Sequence, residues 1–243
     1  DDGALADLTQ AYYTLNDTLL ENYQKYMPEL ITSCMKEGGL YALPQQTNKY
    51  TTAQRLYIRK DWLEIAGVEM PTSVEELITV GEAFLAHKKE IAAATGVKEE
   101  NIVPFSIYKD VTFGGSYSAE GLFNACGSSA TGAYFTGEDG QLHSSNTSDG
   151  SKAALEVLNT MYSKGILDPQ FTTISSTQVM NKVSAGYVGI VFGEWWVLKH
   201  AVWEVVKSSS VKGADWVWSD LPTYKGQQNY PVVPTMLISG YNL

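Results

Sequence analysis

Cysteine and histidine, which carry much of the nucleophilic and metal chemistry of proteins, are scarce in this 243-residue sequence. Only Cys34 and Cys126 are present, and neither belongs to a CxxC pair, so the sequence offers neither a zinc cage nor a disulfide-rich scaffold. The three histidines, His87, His143 and His200, are isolated from one another. Because the sequence has no HExxH motif and no acidic EF-hand loop, we predict no metal site and no histidine-based catalytic site.

Features that bind phosphate or nucleic acid are also missing. The sequence has no GxxxxGKS or GxxxxGKT loop and no GxGxxG motif after a strand, so we predict no cofactor. Basic residues are outnumbered, because 17 Lys and Arg against 27 Asp and Glu give a formal net charge of −10. Nucleic acid and anionic membranes repel a chain of this charge. No uninterrupted apolar run reaches the roughly 20 residues of a transmembrane helix.

Aromatic residues, by contrast, are abundant. The chain has 15 Tyr, 6 Trp and 7 Phe, and several of them lie in polar, turn-rich stretches where a core does not need them. The rest of the composition, with 44% hydrophobic and 18% charged residues, is that of a globular protein with a sizeable core. The aromatic surplus therefore requires an explanation beyond core packing.

Short apolar strands alternate with amphipathic helices along the chain, which is typical of an α/β protein. The spacing of Thr72 to Glu75, or of Ser73 to Glu76, predicts a capping box at one helix start. The predicted helices cover residues 5–27 (in one or two pieces), 60–67, 72 or 73 to 85, 118–126, 151–162, 175 or 176 to 186, and 195–207. The predicted strands cover residues 40–44, 56–58, 102–107, 187–192 and 215–218, and 137–140 is typical of a hairpin turn.

The end of one predicted strand combines acidic and aromatic residues. A buried strand, Tyr187–Phe192, stops at Gly193 and is followed by Glu194, Trp195 and Trp196. Ligands bind at the carboxyl ends of strands in open α/β sheets. Two adjacent indoles at a helix start cannot both face one core, so we expect at least one to line a groove or to cap the sheet edge. The alternative is that both pack inside. An indole face beside polar groups suits a sugar ring, which has an apolar C–H face and a hydroxyl rim.

Loop tyrosines and amides supply candidates for such a rim: Tyr41, Tyr50, Tyr108, Tyr117, Gln45, Gln46 and Asn48. A competing interpretation is a pair of carboxylates for glycoside hydrolysis, with Glu120 and Glu194 as the pair. The separation that defines such a pair is not contained in the sequence. Glu194 at a strand-to-helix turn also suits helix capping or a hydrogen bond to a ligand.

Five segments, taken in order along the chain, carry a family resemblance. They are residues 39–44 (GLYALP), 56–63 (LYIRKDWL), 71–77 (PTSVEEL), 185–195 (AGYVGIVFGEW) and 221–222 (LP). Together they resemble the extracellular solute-binding proteins of bacterial ABC importers, the group that includes maltose-binding protein. Within that group, the sequence is most similar to the oligosaccharide and aldouronate lipoproteins of Gram-positive bacteria.

The resemblance implies a type II periplasmic-binding-protein-like α/β fold. Such proteins have two lobes joined by a hinge, and the lobes close on a ligand without chemistry, so we expect no enzyme. We expect a partial first lobe at residues 1–102, a second lobe at 103–231 and a return crossing toward the first lobe at 232–243. Family members have further strands before these segments and further helices after them. We therefore expect a fragment with an incomplete first lobe that self-associates.

The resemblance also implies ligand contacts. Trp195 occupies the position of a sugar-stacking tryptophan, and Glu194 stands where proline is commoner in the family. The ligand-binding residues that we predict are Trp195, Trp196, Glu194, Tyr50, Tyr117, Tyr108 and Arg59. A peptide, polyamine or anion is the alternative ligand, and an anion predicts Arg55, Arg59, Lys49 or Lys109 in the cleft.

Partners and location follow from the same resemblance. The chain is expected to be the substrate-binding component of an ABC transporter that captures an extracellular carbohydrate by lobe closure. Its partners are then a small-molecule carbohydrate and the permease subunits. The expected location is the outer surface of a Gram-positive bacterium, as a lipoprotein, or the periplasm. Contact with the membrane is expected only through a lipid anchor that is not part of the sequence.

Overall fold

The computed structural model describes residues 5–26, 28–46, 53–111, 114–129, 132–136, 139–208, 210–229 and 237–241. The chain divides into two units: unit 1 comprises Asp1–Thr52 and Val233–Leu243, and unit 2 comprises Ala53–Val232. The boundary between these units, at Ala53, differs from the lobe boundary after residue 102, which stays a prediction. Residues 53–102 belong to unit 2, because their strand is hydrogen-bonded between strands from the second half of the chain.

Unit 1 is small and mixes short helices with short strands. Its elements are α1 (Thr9–Tyr13), α2 (Asp17–Tyr26), α3 (Pro28–Ser33), β1 (Met35–Lys36), β2 (Gly39–Leu40), β3 (Leu43–Gln46) and the strand Leu237–Tyr241. β1 pairs with β2, and β3 pairs with the strand Leu237–Tyr241, both in antiparallel fashion. Leu8, Tyr12 and Leu40 form the buried cluster of this unit.

Unit 2 contains the larger core. Its strands are β4 (Arg55–Arg59), β5 (Val103–Phe105), β6 (Tyr134–Thr136), β7 (Leu142–Ser144), β8 (Val188–Gly193) and β9 (Trp216–Ser219). Its α-helices are α4 (Lys60–Ala66), α5 (Val74–Ala86), α6 (Lys88–Thr95), α7 (Glu120–Ala125), α8 (Asp149–Ser163), α9 (Ser176–Ser184) and α10 (Trp203–Lys207). Two 3-10 turns, Glu99–Asn101 and Ser145–Thr147, and a π-helix, Leu198–Val202, complete the unit. The predicted α/β class is confirmed.

The main sheet of unit 2 has the strand order β5–β8–β4–β9. β5 and β8 are parallel, whereas β4 is antiparallel to both β8 and β9, with Tyr57 opposite Val191 on one side and Trp218 on the other. The carboxyl ends of β5, β8 and β9 and the amino end of β4 therefore share one edge. We call this edge the carboxyl edge of the sheet. β6 and β7 form a separate antiparallel pair around the predicted turn, of which residues 137 and 138 lie outside the described residues.

Helices α4 and α5 pack on this sheet through large apolar side chains. Trp62 and Phe84 are fully buried, and their rings meet edge to face with centroids 5.4 Å apart. A Cβ at Gly189 in β8 would lie 2.6 Å from the Trp62 ring. The indole therefore fits against the sheet only because position 189 has no side chain.

Local signals set two of the helix starts that the sequence predicted. Of the two alternatives for the start of α5, the structure has Ser73, whose side chain accepts a hydrogen bond from the Glu76 amide. α9 begins with a reciprocal capping box between Ser175 and Gln178. None of the helices in the described part of the chain is long and apolar enough to cross a membrane.

Candidate functional site

The carboxyl edge of the sheet brings together five of the seven residues predicted to bind ligand. Tyr108 lies just beyond β5, and the Glu194–Trp196 segment follows β8 directly. Tyr117 joins the two, because its amide donates to the Phe192 carbonyl at 2.9 Å and its carbonyl accepts from the Tyr108 amide at 3.2 Å. The positions of these residues are thus fixed by backbone hydrogen bonds to the sheet.

The carboxylate of Glu194 is held by neutral donors. Its Oε2 accepts hydrogen bonds from Ser116 Oγ at 2.9 Å and from Trp196 Nε1 at 2.5 Å. Ser116 Oγ also accepts from the Glu194 amide at 2.9 Å, and the Tyr57 hydroxyl donates to the Glu194 carbonyl at 3.0 Å. Within the described ranges, the other carboxylate oxygen, Oε1, has no hydrogen-bond partner. The side chain is thus oriented with one acceptor left for a ligand.

The two adjacent indoles have different environments. Trp195 is 53% exposed, with Lys199 Nζ 6.0 Å from its ring centroid. Trp196 is partly buried, and its ring meets the rings of Tyr117 and His200 edge to face, each with centroids 5.7 Å apart. Trp195 therefore offers an apolar face to a ligand, while Trp196 packs and holds Glu194.

Tyr108 and Tyr117, unlike Trp195, are buried. The Tyr108 hydroxyl donates to the Gly114 carbonyl at 3.0 Å, and burial raises the pKa of Tyr108 to about 12. Tyr117 has φ of +65°, which is unfavourable for an aromatic residue, and its hydroxyl is buried with no partner in the described part of the chain. Burial raises the pKa of Tyr117 well above its usual range. Strained backbone and unpaired buried polar groups concentrate at functional sites.

Charged groups also line this edge. Arg55 begins β4 and is partly exposed, with its Nε 3.5 Å from Asp220 Oδ1 beyond β9. Burial raises the pKa of Tyr57 to about 12; Arg55 opposes this rise and Glu194 adds to it. The ion pair between Arg55 and Asp220 and the Glu194 carboxylate therefore determine the electrostatics of the edge.

Arg59 is placed away from the other predicted residues. It ends β4, and since β4 runs antiparallel to β8, this position is at the opposite edge of the sheet. Its fully buried guanidinium bonds both carboxylate oxygens of Asp61, with Nε to Oδ1 at 2.7 Å, and donates to the Gly186 carbonyl at 3.3 Å. Because Arg59 is part of the framework, we leave it out of the proposed site.

Tyr50 and Glu120 are the remaining candidates from the sequence. Tyr50 lies outside the described residues, as do Asn48 and Lys49. Glu120, the partner in the hydrolase interpretation, is buried at the start of α7 and accepts hydrogen bonds from Asn124 Nδ2 at 2.8 Å and Ser129 Oγ at 3.2 Å. A buried carboxylate engaged in this way is poorly placed to protonate a glycosidic oxygen.

Sequence reasoning missed Ser116 as a site residue. The sequence places it only in a helix-capping stretch, yet its hydroxyl orients Glu194 from 78 residues away. No sequence pattern reveals such a contact, because it depends on how the loop after β5 returns to the end of β8. In the described part of the chain, no group of three or more His, Cys, Asp or Glu is arranged to hold a metal ion.

Comparisons with known proteins agree with this architecture. The chain is 25% identical over 170 residues to the fructooligosaccharide ABC transporter substrate-binding protein FusA of Streptococcus pneumoniae, a match that covers 64% of this chain and 30% of that protein. The solved structure of FusA with kestose superposes with a TM-score of 0.73 at 19% identity, covering 97% of this chain and 46% of FusA.

Two further solved structures have a similar fold. An "HMO binding ABC-transporter associated Solute Binding Protein" of Bifidobacterium longum infantis matches with a TM-score of 0.67 at 24% identity, over 93% of this chain and 45% of that one. The alginate-binding protein AlgQ2 matches with a TM-score of 0.68 at 15% identity, over 94% and 44%. The chain thus spans less than half the length of these relatives. A model of the bacterial extracellular solute-binding proteins matches residues 1–234, and the chain belongs to that family.

Proposed function

We propose that this chain belongs to the substrate-binding component of an ABC transporter and captures an extracellular oligosaccharide. Membership of the extracellular solute-binding family supports the proposal, as do relatives named for fructooligosaccharide and HMO binding. The observation that carries it is the exposed Trp195 beside the oriented carboxylate of Glu194 at the carboxyl edge of the sheet. Ligands of open α/β sheets bind at such an edge.

Each group has a distinct part in capture. The face of Trp195 packs against the C–H face of a sugar ring, which excludes water from both surfaces. Glu194 Oε1 accepts a hydrogen bond from a sugar hydroxyl, while Ser116 and Trp196 keep the carboxylate from rotating. Binding to such an oriented site loses little side-chain entropy. Relatives are substrate-binding proteins, and we propose capture without turnover.

Trp195→Ala tests the stacking role. In the natural full-length protein, we expect this change to weaken oligosaccharide binding roughly tenfold or more, because a large apolar contact is lost. Isothermal titration calorimetry with kestose, maltotriose and milk oligosaccharides measures the effect. Unchanged affinity in Trp195→Ala would remove Trp195 from the site.

Trp203→Ala is the matched control. Trp203 is 56% exposed, and Lys207 Nζ lies 5.6 Å from its ring, much as Lys199 lies over Trp195. It differs in lying within α10, beyond the π-helix, rather than directly after β8. The control should bind like the unmodified protein.

Partners and location form the wider part of the proposal. The family is extracellular, and we propose a lipid-anchored protein at the surface of a Gram-positive bacterium that delivers its ligand to ABC permease subunits. Relatives described as ABC transporter components support the permease partner. Co-purification of the full-length protein with permease subunits from detergent-solubilised membranes tests it; permease complexes that lack the protein would contradict it.

A further inference from the structure

The Glu194 carboxylate lacks a counter-charge. Its hydrogen bonds come from a hydroxyl and an indole, and no ion pair to it occurs among the described residues. It is half-buried, so water screens its charge less than that of a fully exposed side chain. A negative charge is thus fixed on the residue that directly precedes the exposed Trp195.

Two cations at this edge, Arg55 and Lys199, have other partners. Arg55 pairs with Asp220 on the adjacent strands, and Lys199 lies over the Trp195 ring, 6.0 Å from its centroid. The negative charge of Glu194 also contributes to raising the pKa of Tyr57 and of Tyr108, after the larger effect of burial. Asp110 and Glu120 act on Tyr108 in the same direction. The charge of Glu194 therefore acts on the hydroxyls of both tyrosines, and a further negative charge at this position meets repulsion from Glu194.

We infer that Glu194 is a specificity-determining residue that selects neutral oligosaccharides and rejects acidic ones, such as chains of uronic acids. This inference rests on the proposed function. A neutral sugar donates a hydroxyl hydrogen to Glu194 Oε1, whereas a uronate carboxylate placed there meets a like charge at hydrogen-bonding range. Such a contact in a partly buried site weakens binding by roughly ten- to a hundredfold.

The test compares matched neutral and acidic ligands in the full-length protein. Calorimetric titrations use kestose, mannotriose and galactotriose as neutral probes, and trimannuronate and trigalacturonate as acidic probes. We expect the best neutral probe to bind at least about tenfold more tightly than the best acidic probe. Raising the NaCl concentration should strengthen acidic binding and leave neutral binding unchanged, because salt screens the repulsion.

Glu194→Gln removes the charge and keeps the shape. Its amide oxygen can accept from Ser116 and Trp196, which leaves the NH2 group at the position of Oε1. We expect the ratio of the dissociation constants of the acidic and neutral probes to fall roughly tenfold in this variant. Glu99→Gln is the control, since Glu99 is an exposed carboxylate that precedes the amino end of β5, at the opposite edge of the sheet. Glu99→Gln makes the same change in net charge and should leave the ratio of the two dissociation constants unaltered.

The outcomes separate the inference from the proposed function. Acidic probes that bind the unmodified protein as tightly as neutral probes would overturn the inference alone, as would a ratio of the two dissociation constants that Glu194→Gln leaves unchanged. Failure of every saccharide to bind would overturn the proposed function, and the inference with it.

Discussion

At the scale of single residues, the Arg59–Asp61 pair shows how a side chain with the chemistry of a ligand contact serves the framework instead. Arg59 is fully buried, its guanidinium lies over the Trp62 ring at 5.0 Å, and Asp61 is its counter-charge. The sequence displays an arginine two residues before an aspartate, but not the direction of either side chain. Burial of a guanidinium is tolerated only when its donors are paired.

Asp61→Asn is predicted to destabilise unit 2. The change leaves the buried Arg59 charge without its partner, which costs about 3–5 kcal/mol for pairs of this kind. Urea unfolding followed by circular dichroism measures the loss. Glu64→Gln, which removes an exposed partner of Lys60 at 3.8 Å, is the control and should cost less than about 1 kcal/mol. Equal stability of the two variants would show that the Arg59–Asp61 pair is not needed.

Glu194, Trp195 and Trp196 could be named as candidate site residues from the sequence because the strand, the glycine and the aromatic pair are contiguous. Ser116 was not, because its contact with Glu194 depends on tertiary structure. The different exposure of Trp195 and Trp196 also depends on tertiary structure. The sequence predicted that they could not both be buried in one core, whereas the structure shows which of the two is exposed.

At the scale of elements, some helix starts are determined by short, local sequence patterns. The start of α9 is an example, because Ser175 Oγ accepts from the Gln178 amide and the Gln178 side chain accepts from the Ser175 amide at 2.8 Å. Only residues within one turn take part, so sequence suffices to predict them.

Ser175→Ala is expected to lower the free energy of unfolding by about 1 kcal/mol, since the first turn of α9 loses its cap. Ser176→Ala is the matched control, because Ser176 is the exposed first residue of the helix and does not provide the cap. Thermal or urea unfolding of both variants provides the comparison. A larger loss in Ser176→Ala would mean that the helix begins one residue later.

Strand pairing, in contrast, is not local. The residues of β4 predict a buried strand, but its partners β8 and β9 come from the other half of the chain. For this reason the start of unit 2 at Ala53 could not be predicted from the sequence, where no change in composition marks it. The π-helix Leu198–Val202 was also unpredicted, because its residues have the pattern of an ordinary α-helix.

At the scale of the whole molecule, the order of the five segments supported the family prediction more strongly than any single motif did. Each of the five segments is weak alone, yet the family model matches residues 1–234. The solved relatives share the fold at identities of 15–24%. A shared fold at this level of identity does not determine which ligand is bound, and we propose that the side chains at the carboxyl edge of the sheet do so.

The central claim is that the protein captures an oligosaccharide, and calorimetric titration of the natural full-length protein tests it most directly. We predict saturable binding of at least one neutral oligosaccharide, together with a rise in melting temperature that grows with ligand concentration, because a ligand bound only by the folded state stabilises that state. Saturable binding of a peptide, a polyamine or an inorganic anion, with no heat from any saccharide, would contradict the claim.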